Sequence, residues 1–113
     1  MISLDVAVAL SIELWSELAK GGSTTKREAL RSKQMDAVAA YCEGKEEPEG
    51  FCWLCEWAYQ NNKECNECPL AVCGRADSEF SKWADATTIK ERKEHARSLV
   101  KRLQNYVLKG GYK

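Results

Sequence analysis

The sequence predicts a mainly α-helical fold, a small domain in which three to four helices pack around a cysteine-rich loop. Three observations support this fold class. Apolar residues recur every three or four positions over 4–20 and 88–108, which is the spacing of one helix face. Thr-x-x-Glu capping boxes begin at Thr25 and Thr88, and each box satisfies backbone donors that a helix start leaves unpaired. Five of the six cysteines fall within residues 51–74, between the helical parts of the chain.

The length of 113 residues predicts a single domain with a modest core, in the size range where an added cross-link is often needed. Its parts are a helical pair at 1–42, the cysteine-rich segment at 51–74 and a helical region at 77–109. No apolar run approaches the roughly 18 residues that a membrane span requires. The first residues carry Asp5 and no basic residue before Lys20, which argues against a signal sequence and favours a cytosolic location.

The first helix is predicted over residues 4–20. Ser3 is expected to cap its start, and Gly21-Gly22 to end it, since glycine accepts the left-handed backbone that a helix terminus needs. Its apolar stripe is broad enough to make this helix central to the core. The stripe consists of Leu4, Val8, Ile12, Leu14, Trp15, Leu18 and Ala19.

The second helix is predicted from Thr25 to about Tyr41. Its expected buried positions are Leu30, Met35, Val38 and Tyr41. Cys42 follows directly, and a polar, acidic loop separates it from the cysteine-rich segment. We therefore expect Cys42 to be a packed free thiol and not a metal ligand.

Two further helical elements follow the cysteine-rich segment. A short helical turn is predicted over 77–84, with Phe80 and Trp83 on one face. The last helix is predicted over 88–108, with His95 at the boundary of its buried stripe. That stripe consists of Ile89, Ala96, Leu99, Val100, Leu103 and Val107.

The spacing of the clustered cysteines is typical of a metal site. Cys52 and Cys55 form one C-x2-C pair, Cys65 and Cys68 form a second, and Cys73 lies five residues further on. Two C-x2-C hairpins each place two sulfurs on one side of a tight turn, so together they can supply four thiolates to one tetrahedral ion. The segment is therefore predicted to be a metal-binding loop, with zinc as the favoured ion.

Three alternatives remain open for this segment. Cys73 can replace Cys65 or Cys68 as the fourth ligand. An iron–sulfur cluster is a second alternative, because a Cys-Pro step such as Cys68-Pro69 also occurs at iron–sulfur ligands. The third is a set of disulfides, which a reducing cytosol disfavours.

The residues around the cysteines predict a structural site without catalysis. Apolar side chains interleave with the thiols and are expected to bury the site against the helices. They are Phe51, Trp53, Leu54, Trp57, Tyr59, Leu70 and Val72. No histidine lies near the cysteines to activate a nucleophile, and a four-thiolate ion has no open position for water. We therefore expect a protein that is not an enzyme.

The formal net charge of zero hides an asymmetry. Residues 87–113 carry eight basic and two acidic side chains, a net of +6, which leaves −6 for residues 1–86. A basic last helix can bind nucleic acid or an acidic protein, and it can equally pack on the acidic half of its own chain. Lys93, Arg97 and Lys101 are its candidate binding residues.

The order of motifs along the chain resembles that of small cysteine-rich proteins of unknown function encoded by tailed bacteriophages and prophages. The motifs are LSIELWSEL, CWLCEWA, CNECPLAVC, Phe80-x-x-Trp83 and the basic stretch that begins at Lys90. The most specific parts are the paired C-x2-C motifs and the tripeptide Cys68-Pro69-Leu70. This resemblance implies a metal-bound cysteine site in a phage protein that acts in the bacterial cytoplasm.

The sequence and the resemblance together predict a non-catalytic, zinc-stabilised binding protein that engages a host protein, such as a defence or transcription component. Two alternatives come from other classes. One is a nucleic-acid-binding accessory protein that uses the basic last helix. The other is a redox sensor built on an iron–sulfur cluster.

Overall fold

The computed structural model describes residues 2–21, 25–42, 44–48, 52–64 and 79–108. In these ranges the regular secondary structure is helical throughout, which confirms the mainly α-helical prediction for them. The described helices are α1 (Leu4–Gly21), α2 (Lys26–Lys33), α3 (Met35–Tyr41), α4 (Trp53–Gln60), α5 (Glu79–Asp85) and α6 (Ile89–Leu108). None of them combines the length and the hydropathy that crossing a bilayer requires.

Helix α1 is the centre of the packing. Its largest interface is with α6, and α4 and α2 pack against other parts of its surface, while α5 packs against α6. Most of the predicted stripe is buried, although Leu4 and Ile12 are only partly covered. Because its apolar arc is wide, one helix can supply a contact surface to three neighbours. The buried stripe residues are Val8, Leu14, Trp15, Leu18 and Ala19.

The prediction of one continuous helix from residue 25 to 41 is wrong, because the chain breaks at Gln34 into α2 and α3. Gln34 is 2% exposed. Its Nε2 donates to the carbonyl oxygen of Leu10 and to the carboxylate of Glu13, both at 3.0 Å, and its Oε1 accepts from the indole Nε1 of Trp53 at 2.7 Å. Gln34 can form these hydrogen bonds only when its side chain points into the core. The tertiary hydrogen bonds of Gln34 therefore determine where the helix is interrupted.

The break also changes which residues of the second helical region are covered. Leu30 and Val38 are buried as predicted, and Tyr41 is partly buried. The prediction for Met35 is wrong, because Met35 is the first residue after the break and is 45% exposed. The predicted start is confirmed, since the backbone N–H of Glu28 donates to the Thr25 hydroxyl at 3.1 Å.

Helix α4 occupies a segment that was predicted to be a loop. Trp53, Leu54 and Trp57 are buried, as the interpretation of the interleaved apolar residues requires. The prediction for Tyr59 is wrong, because helical spacing places it on the opposite side of α4, where it is 64% exposed. Phe51, Leu70 and Val72 lie outside the described residues.

Helices α5 and α6 close the other side of α1. Trp83 of α5 is buried and meets Trp15 of α1 edge to face, with ring centroids 5.0 Å apart. In α6 the core residues are Ala96, Leu99 and Leu103, with Val100 and Val107 partly buried.

Four further predictions concern residues of α5 and α6. His95 is half-buried at the edge of the α6 stripe, as predicted. The prediction that Ile89 is buried is wrong, because Ile89 begins α6 ahead of the packed turns and is 56% exposed. The cap at Thr88 is confirmed, since its hydroxyl accepts from the Glu91 N–H at 3.1 Å. The side chain of Phe80 lies outside the described part of the structure.

Candidate metal centre

The first C-x2-C pair lies at the start of α4. Cys52 is the N-cap residue, with extended backbone (φ −139°, ψ 125°), and its carbonyl oxygen accepts from the backbone N–H of Glu56 at 3.0 Å. Cys55 belongs to the first turn of the helix, and both thiols are half-buried. The turn is therefore helical and not the expected hairpin. Residues three apart on a helix face the same side, so the two sulfurs still converge.

The environment of Cys52 favours the thiolate. The pKa of Cys52 is lowered from 9.0 to about 6, chiefly by the hydrogen bond with the Cys55 thiol. Burial raises the pKa and opposes this effect, whereas the backbone N–H groups of Cys55 and Leu54 and the Lys26 ammonium lower it further. A helix start carries partial positive charge, and thiolates are the form that binds metal. The site therefore presents one sulfur that is ready to act as a ligand at neutral pH.

Lys26 brings positive charge to the cysteine pair from a second helix. It is the first residue of α2, and its Nζ lies 5.9 Å from the centroid of the Trp15 ring. Its charge favours the Cys52 thiolate across the gap between α2 and α4. A cluster of thiolates accumulates negative charge around an ion, and a nearby ammonium offsets part of that charge.

The other predicted ligands, Cys65, Cys68 and Cys73, lie outside the described residues. Within the described ranges there is no group of three or more His, Cys, Asp or Glu side chains arranged to hold a metal ion. Of the five predicted ligands, the structure describes the Cys52–Cys55 pair. Two thiols one helical turn apart fit half of a tetrahedral thiolate set, which suits zinc and iron–sulfur clusters alike.

Cys42 has a different environment from the pair. It is a free thiol that is completely buried, as predicted. Its pKa is raised to about 11 by burial, with a smaller contribution from the Glu56 carboxylate, while Lys45 acts in the opposite direction. A thiol that stays protonated at neutral pH is a poor ligand and a poor nucleophile.

A buried polar network next to Cys42 was missed at the level of sequence. The Glu56 side chain is fully buried; the Lys45 Nζ donates to its Oε1 at 2.7 Å and the Gln60 Nε2 to its Oε2 at 2.8 Å. Gln60 Nε2 also donates to the carbonyl oxygen of Tyr41 at 2.7 Å. The i, i+4 spacing of Glu56 and Gln60 indicates a hydrogen bond between them only if residues 53–60 are helical, and the sequence prediction placed a loop there.

The predicted basic residues lie on the solvent side of α6. Arg97 and Lys101 are exposed and Lys93 is half-buried, and none of the three forms an ion pair with another described residue. Arg97 and Lys101 border a groove of about 350 Å³ between α6 and α1. The groove is lined by Ser16, Ala19, Arg97, Val100, Lys101 and Gln104.

The chemistry of the molecule is therefore divided between two places. The start of α4 offers a thiolate and a thiol to a soft metal ion, and the surface of α6 offers the exposed cations Arg97 and Lys101 to an anionic partner. Comparison of the chain with protein-family models, with curated proteins and with solved structures finds no significant match.

Proposed function

We propose that this chain is a non-catalytic, metal-stabilised binding protein that engages another protein. The observation that carries the proposal is the position of Cys52 and Cys55 at the start of α4, where the pKa of Cys52 falls to about 6. Zinc is the ion that we favour. Two of the three cysteines Cys65, Cys68 and Cys73 complete the tetrahedral set in this proposal.

The packing of α4 explains what such an ion contributes. Trp53 and Leu54 fix the start of α4 in the core, and α4 packs directly against α1. An ion held by Cys52 and Cys55 and by two later cysteines links the segment after residue 64 to this core. Such a link adds to the stability of the fold, because binding the ion favours the folded arrangement of its ligands.

If the ion is structural, the partner protein binds to the surface of the protein and not to the ion. Four thiolates fill the coordination sphere of zinc and leave no position for a substrate or a reactive water. The resemblance to small phage and prophage proteins supports a host protein in the bacterial cytoplasm, such as a defence or transcription component, as the partner.

Metal analysis of the protein purified without oxygen tests the metal part of this proposal. We expect about one zinc per chain and no visible colour. An iron–sulfur cluster, the redox-sensing alternative, gives a brown protein with sulfide content instead. Cys52→Ser and Cys55→Ser should each lower metal content strongly, whereas the matched change Cys42→Ser should leave it unchanged. A protein that purifies without metal when no chelator is used, or full metal content in Cys52→Ser, contradicts the proposal.

A nucleic-acid-binding accessory role is the second candidate, and the exposed cations of α6 favour it. Phosphate contacts make affinity fall steeply with salt, whereas a protein interface with an apolar centre is less sensitive. The triple change Lys93→Glu, Arg97→Glu and Lys101→Glu tests the nucleic-acid role. Unchanged retention of this variant on a heparin or DNA column removes the nucleic-acid candidate.

A further inference from the structure

We propose that the groove between α1 and α6 is the docking site for an acidic, amphipathic helical segment of a partner protein. This inference rests on the proposed role as a protein-binding module and assigns that role to one surface. The groove has a volume of about 350 Å³ and runs between two helices that form the largest interface among the described helices. A cleft between packed helices accommodates a third helix by the same packing of ridges into grooves.

The charges of the groove indicate an acidic occupant. Arg97 and Lys101 lie one helical turn apart on its border, both are exposed, and none of the described residues that line it is acidic. Ser16 and Gln104 add a hydroxyl and an amide that can donate hydrogen bonds. Carboxylates one turn apart on a partner helix have the same spacing, about 6 Å, as the two cations.

The apolar surface of the groove indicates that the partner helix is amphipathic. Ala19 is buried and Val100 is partly buried, and the two line the groove between the polar groups. Leu108 lies one turn beyond Gln104 on the same side of α6 and is 83% exposed. An apolar side chain on the partner can cover Leu108 while its carboxylates meet Arg97 and Lys101.

The acidic residue Glu94 disfavours binding of a nucleic acid along α6. Glu94 is exposed and lies one turn after Lys90 and just under one turn before Arg97. A phosphate backbone that followed α6 from Arg97 toward Lys90 would therefore meet a carboxylate between the two cations. A peptide needs only the pair Arg97 and Lys101, together with the apolar residues beside them.

Fluorescence anisotropy with the full chain and a synthetic helical peptide tests the inference. The probe is an alanine-based helix with two glutamates four residues apart and leucines one turn further on. A peptide with glutamine in place of glutamate and a single-stranded DNA oligonucleotide are the comparison ligands. We expect saturable binding of the acidic peptide and weaker binding of the other two.

Three variants locate the binding. The double change Arg97→Glu and Lys101→Glu should weaken peptide binding roughly tenfold, since it replaces both cations at the border of the groove with carboxylates. The control pair Lys82→Glu and Lys90→Glu alters net charge equally outside the groove and should change binding less than about twofold. Ser16→Phe should block the groove by volume alone.

The following outcomes overturn the inference: no binding of the acidic peptide, equal losses in the groove and control pairs, unchanged binding in Ser16→Phe, or tighter binding of the oligonucleotide. Metal content is measured on the same samples. A metal-free protein that still binds through Arg97 contradicts the metal proposal alone, whereas a zinc-loaded protein that does not bind the peptide contradicts only the groove.

Discussion

The indole Nε1 of Trp53 donates a 2.7 Å hydrogen bond to the Oε1 of Gln34. This bond joins the first residue of α4 to the residue that separates α2 from α3. Both side chains are buried, so neither can exchange the bond for one to bulk water. The same Gln34 also holds the carbonyl of Leu10 in α1, and one amide therefore connects three parts of the fold.

We expect Gln34→Met to destabilise the protein by about 1–3 kcal/mol, because it leaves the buried Trp53 N–H without a partner while the volume stays similar. Urea unfolding followed by far-ultraviolet circular dichroism measures the change. Gln104→Met is the matched control, since Gln104 is exposed, and it should stay within about 0.5 kcal/mol of the parent. Equal effects of the two changes would show that the Gln34 bonds contribute nothing specific.

The buried carboxylate of Glu56 gives a second prediction. Lys45→Met removes the cation at 2.7 Å and leaves a fully buried charge, so we expect a loss of about 1–3 kcal/mol in the free energy of unfolding. Adding Glu56→Gln should restore part of that loss, because the neutral amide no longer needs a counter-charge. Arg27→Met is the control: it breaks the exposed Arg27–Glu47 pair and should cost less than about 1 kcal/mol.

The different environments of Cys52 and Cys42 predict different rates of alkylation. In metal-free folded protein at pH 7, Cys52 should be alkylated readily, because its pKa of about 6 keeps it largely as thiolate. Cys42 should stay unmodified, because it is buried and its pKa is about 11. Iodoacetamide labelling followed by peptide mass spectrometry measures both rates in one sample. Labelling of Cys42 as fast as Cys52 before unfolding contradicts this assignment.

The lowered pKa of Cys52 also predicts how stability depends on pH in the metal-free protein. Folding favours the thiolate, so this stabilisation is complete above the ordinary value of 9.0 and is lost as the pH falls through about 6. The free energy of unfolding should therefore rise between pH 6 and pH 9. Cys52→Ala should make the free energy of unfolding depend less on pH in this range. An identical pH dependence in the variant would contradict the lowered pKa of Cys52.

The cap of α6 can be tested with adjacent threonines. Thr88→Ala should destabilise the protein by about 1 kcal/mol, because the Glu91 N–H loses the hydroxyl that accepts from it at 3.1 Å. Thr87→Ala, one residue earlier and also exposed, should have little effect. Thermal unfolding of both variants measures the difference, which disappears if the cap is irrelevant.

Local signals were sufficient to predict the long helices. The three- and four-residue periodicity located α1 and α6, and the capping threonines located the starts of α2 and α6. Helix α4 was missed because the spacing of Cys52 and Cys55 was interpreted as a hairpin. The helical period of its buried residues, Trp53 and Leu54 and then Trp57 and Ala58, was present in the sequence.

The break at Gln34 could not have been predicted from local sequence. Neither glycine nor proline is present there, and the interruption depends on hydrogen-bond partners that lie 19 to 24 residues away along the chain. The burial of Glu56 could not be predicted from local sequence either, because its cationic partner, Lys45, lies in the loop before α4. For the candidate site, spacing identified the thiol pair, but the helix start and Lys26 that lower the pKa of Cys52 required the fold.

The two ends of α4 hold different parts of the molecule. Its first turn carries the thiol pair, and at its far end Gln60 Oε1 accepts from the backbone N–H of Ile2 at 2.8 Å. The eight residues of α4 span about 12 Å. In the proposed metal-bound form, zinc at the start of α4 restrains the whole helix. Hydrogen–deuterium exchange at the Ile2 amide, at the other end of α4, should therefore slow when zinc is bound.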